Sequence, residues 1–197
     1  MAPARGGAAG GHTFAGMPAT TPSGSATAAL LEGFGRTPDL VDAALDGMSD
    51  GDLTRRVDPD ANTIAWLVWH TARMQDGQIT AAARALGRDD AEQVWTSAGF
   101  AERFHLPVAD REVGYGMTSA QVAEIIAPAD LLRDYHRAVQ DATTTFLEGL
   151  DPADYDRVID ERWDPPVTLL ARLVSIEQDA VQHLGQAAYV RGVLTRT

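Results

Sequence analysis

The stretch from Asn62 to Leu86 reads NTIAWLVWHTARMQDGQITAAARAL, and it decides the fold class of this 197-residue chain. Its apolar residues recur three and four positions apart, which is the period of an amphipathic helix and not that of a strand. Asn62 or Thr63 is suited to cap the start of such a helix, and Gly87 is suited to end it. The stretch therefore predicts one long helix over residues 62–86.

Three further stretches show the same helical period, and no stretch alternates with the period of two that is typical of strands. They cover residues 27–47, 128–149 and 168–194. Pro38 is expected to break or kink the first of them, because proline removes a backbone hydrogen bond and clashes with the preceding turn. Four long amphipathic helices predict an all-α chain folded as a four-helix bundle, in which facing helices can hold a metal or a cofactor.

A long crossover, residues 88–127, separates the second and third long helices. Within it, Thr118 and Gln121 predict the capping box of one short helix. Connections of this length often carry function, so residues 96–118 of the crossover are expected to shape the mouth of a pocket. The acidic segments 50–60 and 151–164 are predicted to be solvated loops.

The N-terminal segment differs in composition from the rest of the chain. Of the first 28 residues, 23 are Gly, Ala, Pro, Ser or Thr, and none is acidic. Such a segment cannot bury enough apolar surface to offset the entropy lost on ordering, which predicts a flexible tail over 1–27 and one domain over 28–197. The tail lacks the apolar run of a signal peptide, and no apolar stretch elsewhere is long enough to span a bilayer. We therefore expect a cytoplasmic protein without a membrane partner.

The composition excludes several classes of function. The chain has 16 basic residues, all of them arginine, and 28 acidic residues, for a net charge of −12. This charge repels phosphate backbones, and the arginines are scattered, so nucleic acid is not expected as a partner. The chain has no cysteine, which excludes disulfides, thiolate metal sites and a catalytic thiol. Any thiol chemistry must use the sulfur of another molecule.

Two histidines, His70 and His183, lie within the apolar runs of long helices. An imidazole in that setting requires a hydrogen-bond partner or a metal. Asp179 precedes His183 by four residues, so the two side chains point within about 40° of each other, one turn apart. Glu177 precedes His183 by six residues and should miss the same site.

If the two helices pack together, His70, Asp179 and His183 form a set of two histidines and one carboxylate with coordination positions left open. Such donors suit zinc, nickel, iron(II) or manganese. The same residues also fit a buried ion pair, in which Asp179 accepts a hydrogen bond from a histidine. The spacing alone does not decide between these interpretations.

Polar residues near this set have provisional roles. Arg73 lies three residues after His70 and is placed to bind a carboxylate of a substrate or thiol, although a salt bridge with Asp76 is an equal alternative. Asp76 is a candidate to orient an imidazole from behind, and Gln186 is a candidate to hydrogen-bond a molecule at the metal.

Aromatic residues and the other histidines are weaker candidates. Trp66 and Trp69 are placed to wall a pocket, but tryptophans at helical spacing are more often core residues. His12 in the tail and His105 in the crossover are expected to be solvated. His136, in the third long helix, either lines the pocket or belongs to the core.

The chain resembles the DinB-like superfamily of metal-binding four-helix bundles, which includes bacterial low-molecular-weight-thiol transferases. The main matching stretches are NTIAWLVWHTARMQD at 62–76 and IEQDAVQHLGQAAYVRG at 176–192. Weaker similarity extends over 28–195, including GYG at 114–116 and WDPPVTL at 163–169.

The resemblance implies a divalent metal held by His70, Asp179 and His183. In that family a histidine of the second helix and an H-x-x-x-H of the fourth helix hold the metal. Here aspartate replaces the first histidine of that pair, which retains a competent ligand but adds negative charge. Zinc is the expected metal, with nickel, iron(II) or manganese as alternatives.

The resemblance also implies a function. Members from actinobacteria are similar to mycothiol-dependent transferases or isomerases, and the lysine-free, Ala-, Arg- and Gly-rich composition is compatible with such a source. In that interpretation a mycothiol-like thiol becomes a thiolate on the metal and attacks a small electrophilic substrate. A homodimer is expected on the same ground. A metal-dependent hydrolase and a non-catalytic, stress-related bundle that binds a small ligand stay open as alternatives.

Overall fold

A computed structural model describes residues 25–196 of the chain. Most of the predicted tail, including His12, lies outside the described residues. The first described helix, α1, spans Ala26–Gly35 and begins two residues ahead of residue 28, the predicted start of the domain. Its cap is Ser25, whose hydroxyl accepts a hydrogen bond from the backbone N–H of Ala28.

The described residues fold as the predicted all-α bundle. The first position of the bundle is filled by α1 and α2 (Thr37–Leu45), and a short helix α3 (Asp50–Leu53) follows. The other three positions are filled by α4 (Ile64–Ala85), α8 (Ala129–Glu148) and α9 (Leu169–Leu194). The interruption expected near Pro38 is present: α1 ends at Gly35, and Pro38 lies in the first turn of α2, where its missing N–H costs nothing.

Helix α4 is the central element of the bundle. The Thr63 hydroxyl caps it by accepting a hydrogen bond from the Trp66 N–H at 3.1 Å. Every residue from Ile64 to Arg73 is buried, so this half of the helix has no solvent-facing side. The sequence predicts an amphipathic helix, whereas the structure buries its first half all round because α8, α9 and the crossover each cover part of its surface.

The crossover contains three short helices where the sequence predicts one. These are α5 (Val94–Ser97), α6 (Phe100–Phe104) and α7 (Ser119–Ala123). The predicted capping box of α7 is confirmed, because the side chains of Thr118 and Gln121 each accept a hydrogen bond from the other's backbone N–H. Helices α5 and α6 have four and five residues, too few for a helical period to show in the sequence.

The acidic segments are not simply loops, and that prediction was wrong. Segment 50–60 begins with α3, and segment 151–164 holds a 3₁₀ turn at Pro152–Asp156 followed by strand β1 (Val158–Asp160). Strand β1 pairs antiparallel with β2 (Val167–Thr168), directly before α9. Strands of two and three residues are too short to show alternation.

The buried apolar residues form two clusters along the bundle. One lies between α4, the crossover and α8, and includes Trp69, Trp95 and Tyr135. The other includes Phe34 and Phe146 and lies toward the α1 end. Among the helices of residues 25–196, none combines the length and the apolar character needed to cross a membrane.

Candidate metal centre

His70 of α4 and His183 of α9 meet where these two helices pack together. Their ring centroids are 4.8 Å apart. Asp179 lies one turn before His183, and one candidate ligand atom from each of the three residues lies within 4.8 Å of the others. The structure thus brings together the three residues that the sequence selected. Two imidazoles and a carboxylate are suitable donors for a divalent transition metal.

The backbone of the crossover orients His70. Nδ1 of His70 makes a short hydrogen bond with the carbonyl oxygen of Val113, so Nδ1 carries the proton and the Nε2 lone pair is free for a metal. His70 is only 4% exposed. Burial holds the pKa of His70 below its ordinary value, although the hydrogen bond to Val113 opposes this shift. The imidazole is therefore neutral near pH 7, as a metal ligand must be.

His183 is oriented within its own helix. Its Nδ1 donates to the Asp179 carbonyl oxygen at 3.0 Å, which leaves Nε2 free. The Asp179 carboxylate lies 3.6 Å from that Nδ1, too far for a hydrogen bond. Within residues 25–196 this carboxylate accepts no hydrogen bond from a protein donor, so its oxygens are available to a ligand. The side chains of His183 and Asp179 are 19% and 33% exposed, so small molecules can reach this side of the cluster.

Trp66 and Gly114 enclose the buried side of the cluster. The Trp66 ring stacks on His70 at 4.5 Å with an interplanar angle of 10°, and it lies 6.1 Å from the His183 ring. Gly114 has a φ of +92°, and a Cβ at this position would lie 2.7 Å from Nδ1 of His70. Only glycine allows the crossover to approach His70 this closely. The sequence analysis assigned Gly114 no role, although the Gly114-Tyr115-Gly116 pattern is typical of a backbone turn that requires glycine.

Arg73 does not face the candidate metal centre, and the alternative prediction, a salt bridge with Asp76, is present, with 3.5 Å between its guanidinium and the Asp76 carboxylate. Arg73 has no exposed surface, and its guanidinium donates to the carbonyl oxygens of Asp110 at 2.7 Å and Glu112 at 3.1 Å and to Gln93 Oε1 at 2.9 Å. It also contacts the Tyr135 hydroxyl at 3.2 Å. These contacts fasten the crossover to α4, and they leave Arg73 enclosed and unable to meet a substrate.

Asp76 also differs from its predicted role. Its carboxylate accepts hydrogen bonds from the backbone N–H groups of Val94 and Trp95 and from the Tyr135 hydroxyl, at 2.8–2.9 Å. No histidine is among its partners in the described part of the chain. Burial raises the pKa of Asp76, and these hydrogen bonds oppose the shift. Asp76 therefore holds the start of α5 and does not orient an imidazole.

The remaining candidates lie outside the cluster. Glu177 lies beside Gly33 of α1, and Gln186 is exposed on α9. His105 is exposed at the end of α6. Trp69 is a fully buried core residue in contact with Trp95. His136 is buried to 1% exposure, and neither of its ring nitrogens has a hydrogen-bond partner in the described structure.

Comparison with known proteins is consistent with this fold. The family model described as the DinB superfamily matches residues 34–187. The chain belongs to the DinB superfamily. The match includes α4 and most of α9, so the DinB assignment covers all three candidate ligands.

A solved structure has a similar fold. The crystal structure of a conserved protein from Enterococcus faecalis superposes with a TM-score of 0.79 at 30% sequence identity. The alignment covers 89% of this chain and 100% of that one. A search among curated proteins finds no match.

Proposed function

We propose that this chain is a metal-dependent transferase that joins a low-molecular-weight, mycothiol-like thiol to a small electrophilic substrate, with zinc as the metal. The observation that carries the proposal is the cluster of His70, Asp179 and His183. Nδ1 of each imidazole is hydrogen-bonded to a backbone carbonyl, so both Nε2 atoms are available, and the Asp179 carboxylate accepts no hydrogen bond in the described structure. Membership in the DinB superfamily, whose members often bind metals, supports a metal at this place.

The residues of the cluster set the charge at the reacting centre. Two neutral imidazoles and one carboxylate offset only one of the two positive charges of a divalent ion, so an incoming thiolate is attracted. A bound ion of this kind lowers the pKa of a coordinated thiol, so that the thiolate forms near neutral pH. Three protein ligands leave at least one position for the thiol.

The surroundings of the cluster suit an external thiol. The chain has no cysteine of its own. His183 and Asp179 are partly exposed, whereas Trp66 and the crossover close the opposite side next to His70. A thiol can therefore reach the cluster on the side of His183 and Asp179, and the indole of Trp66 provides an apolar wall beside His70.

The test is the thiol dependence of turnover. Zinc-loaded protein is incubated with mycothiol and a chromogenic electrophile, and formation of the thioether is followed. We expect turnover only when both metal and thiol are present, and loss of turnover in His183→Ala. Gln182→Ala, which changes the exposed neighbour of His183, is the matched control and should stay active.

Two results would contradict the proposal. Ester or amide hydrolysis that needs the metal but not the thiol would identify a hydrolase instead. Protein that binds zinc but gives no turnover with any thiol tested would favour a non-catalytic ligand-binding bundle.

A further inference from the structure

A second polar cleft lies between α4, β1 and the start of α9, away from the metal ligands. It has a volume of about 290 Å³. Its lining includes Gly77, Gln78, Ala81, Asp160, Arg162 and Arg172.

The cleft carries a net positive charge. Arg172 donates to Gln78 Oε1 and to Asp160 Oδ2, each at 3.1 Å, and Arg162 donates to both carboxylate oxygens of Asp160 at 2.9 Å. Two guanidinium groups thus face one carboxylate, in a chain whose net charge is −12. The hydrogen bonds from Arg162 hold the pKa of Asp160 well below its usual range, so the carboxylate stays charged and neutralises only one arginine.

Free donors remain on both arginines. In the described part of the chain, Nε of Arg172 and one terminal nitrogen of Arg162 have no hydrogen-bond partner. The Arg172 side chain is 24% exposed and is held by two acceptors, so its guanidinium is already oriented. An oriented guanidinium with free N–H groups is suited to a carboxylate, which it can bind through two parallel hydrogen bonds.

The cleft lies in line with the candidate metal centre. His70 is beside His183, and Gln78 is beside Arg172, so α4 and α9 run antiparallel and share this seam. Eight residues of α4 separate His70 from Gln78, a rise of about 12 Å along the helix. Seven residues of α9 separate Asp179 from Arg172, a rise of about 10 Å.

The seam between the two sites is partly open to solvent. From Ile64 to Thr80, the only residues of α4 that are not buried are Met74, Gly77 and Gln78. They follow His70 by four, seven and eight positions, and therefore lie on its face of the helix. Between Ile64 and Thr80, partial exposure on α4 is thus confined to the face that carries both His70 and Gln78.

We propose that this cleft binds the carboxylate of an anionic small molecule whose reacting end lies at the metal centre, about 10–12 Å away. The inference rests on the proposed function, and it specifies the substrate class: molecules with an anionic group at that distance from the atom that meets the metal. Arg172 and Arg162 are specificity-determining residues in this account, and they do not touch the reacting atoms.

The experiment uses cobalt-loaded protein, in which thiolate coordination produces an absorption band. The probes are 8-mercaptooctanoate and the uncharged 8-mercaptooctanol, which are matched in length. We expect the carboxylate probe to bind about tenfold more tightly, since each added charged hydrogen bond is worth roughly that factor. The double variant Arg162→Gln/Arg172→Gln should lose this preference, and Arg157→Gln, in the same connection but outside the cleft, should keep it.

Equal affinity for the two probes in the wild type, or a preference that survives in the double variant, would overturn the proposal. The single variant Arg162→Gln tests whether a folding defect explains the loss, because this side chain is 86% exposed. It should reduce the preference for the carboxylate probe without lowering the melting temperature.

A measurement without metal separates this inference from the proposed function. Metal-free protein is titrated with octanoate while the Nε–H signal of Arg172 is followed by NMR. A shifted Arg172 signal together with no cobalt–thiolate band would support carboxylate binding in the cleft and refute the proposed thiol chemistry. An Arg172 signal that does not shift would refute carboxylate binding in the cleft, whether or not thiols bind the metal.

Discussion

At the scale of single residues, the contact between Gly114 and His70 connects the crossover to the candidate metal centre. The Val113 carbonyl can accept the His70 proton only because the next residue has no side chain, since a Cβ at Gly114 would lie 2.7 Å from the imidazole. The tautomer of a ligand histidine is set by the partner of its other nitrogen. The glycine therefore determines which nitrogen of His70 faces the metal.

Gly114→Ala should lower metal affinity by about 10- to 100-fold, because the methyl group pushes the crossover away from His70. The measurement is a competitive zinc titration against a chelating dye. Gly116→Ala is the matched control: its φ is +75°, but nothing lies within 4 Å of its Cβ position, so it shares the backbone strain without the contact. Equal zinc affinity in the two variants would contradict this role for Gly114.

His136 makes stability depend on pH. Burial lowers its pKa from 6.5 to about 4, with Asp42 opposing and Arg137 reinforcing the shift. Between pH 6.5 and 4, His136 is therefore protonated in the unfolded chain but neutral in the folded chain. Keeping His136 neutral therefore costs the folded chain no stability above pH 6.5. As the pH falls from 6.5 toward 4, the free energy of unfolding decreases by about 3 kcal/mol.

His136→Leu should remove this part of the acid sensitivity. Urea unfolding at pH 7 and pH 4.5 measures it, and the variant should lose less unfolding free energy than the wild type between the two values. His105→Asn, which replaces an exposed histidine, should behave like the wild type. The same loss in His136→Leu as in the wild type would rule out His136 as the cause.

Among the elements, the crossover is attached to α4 by several buried polar contacts, and Arg73 of α4 makes three of them. Arg73 donates to backbone carbonyls of residues 110 and 112 and to Gln93 of the crossover, and it balances the buried carboxylate of Asp76. Losing it leaves that carboxylate without its cation and those carbonyls without donors. Removing one partner of a buried ion pair typically costs several kcal/mol.

Arg73→Met should therefore lower the free energy of unfolding by about 3 kcal/mol and speed hydrogen exchange across 110–114 relative to α8. Arg84→Met is the control, because Arg84 makes one exposed hydrogen bond to the Ala91 carbonyl and should cost about 0.5 kcal/mol or less. A loss below about 1 kcal/mol with unchanged exchange would show that the crossover is held by its apolar contacts instead.

The contrast between long and short elements explains what the sequence could predict. The helical period of α4, α8 and α9 repeats over 20 residues or more, so the sequence predicts these three helices. The spacing of Asp179 and His183 likewise places both on one face of α9. Helices α5 and α6 and the hairpin are too short to show a period. The places of Arg73 and Asp76 depend on backbone groups of the crossover, which leave no trace in the pattern of side chains.

At the scale of the whole molecule, the candidate metal centre joins two helices that are distant in sequence. His70 lies in α4, whereas Asp179 and His183 lie in α9, across the crossover, α8 and the hairpin. An ion bound only by the folded chain stabilises it by mass action, so metal loading should also raise the melting temperature. The site and the packing of α4 against α9 are therefore coupled.

Metal analysis of untagged protein tests whether His70, Asp179 and His183 hold a divalent metal. The measurement compares the wild type with Asp179→Ala and His183→Ala, with Gln182→Ala as the control. We predict about one zinc, nickel, iron(II) or manganese ion per chain in the wild type and the control, and none in the two ligand variants. A wild type that takes up none of these metals, or ligand variants that retain a full complement, would contradict the account.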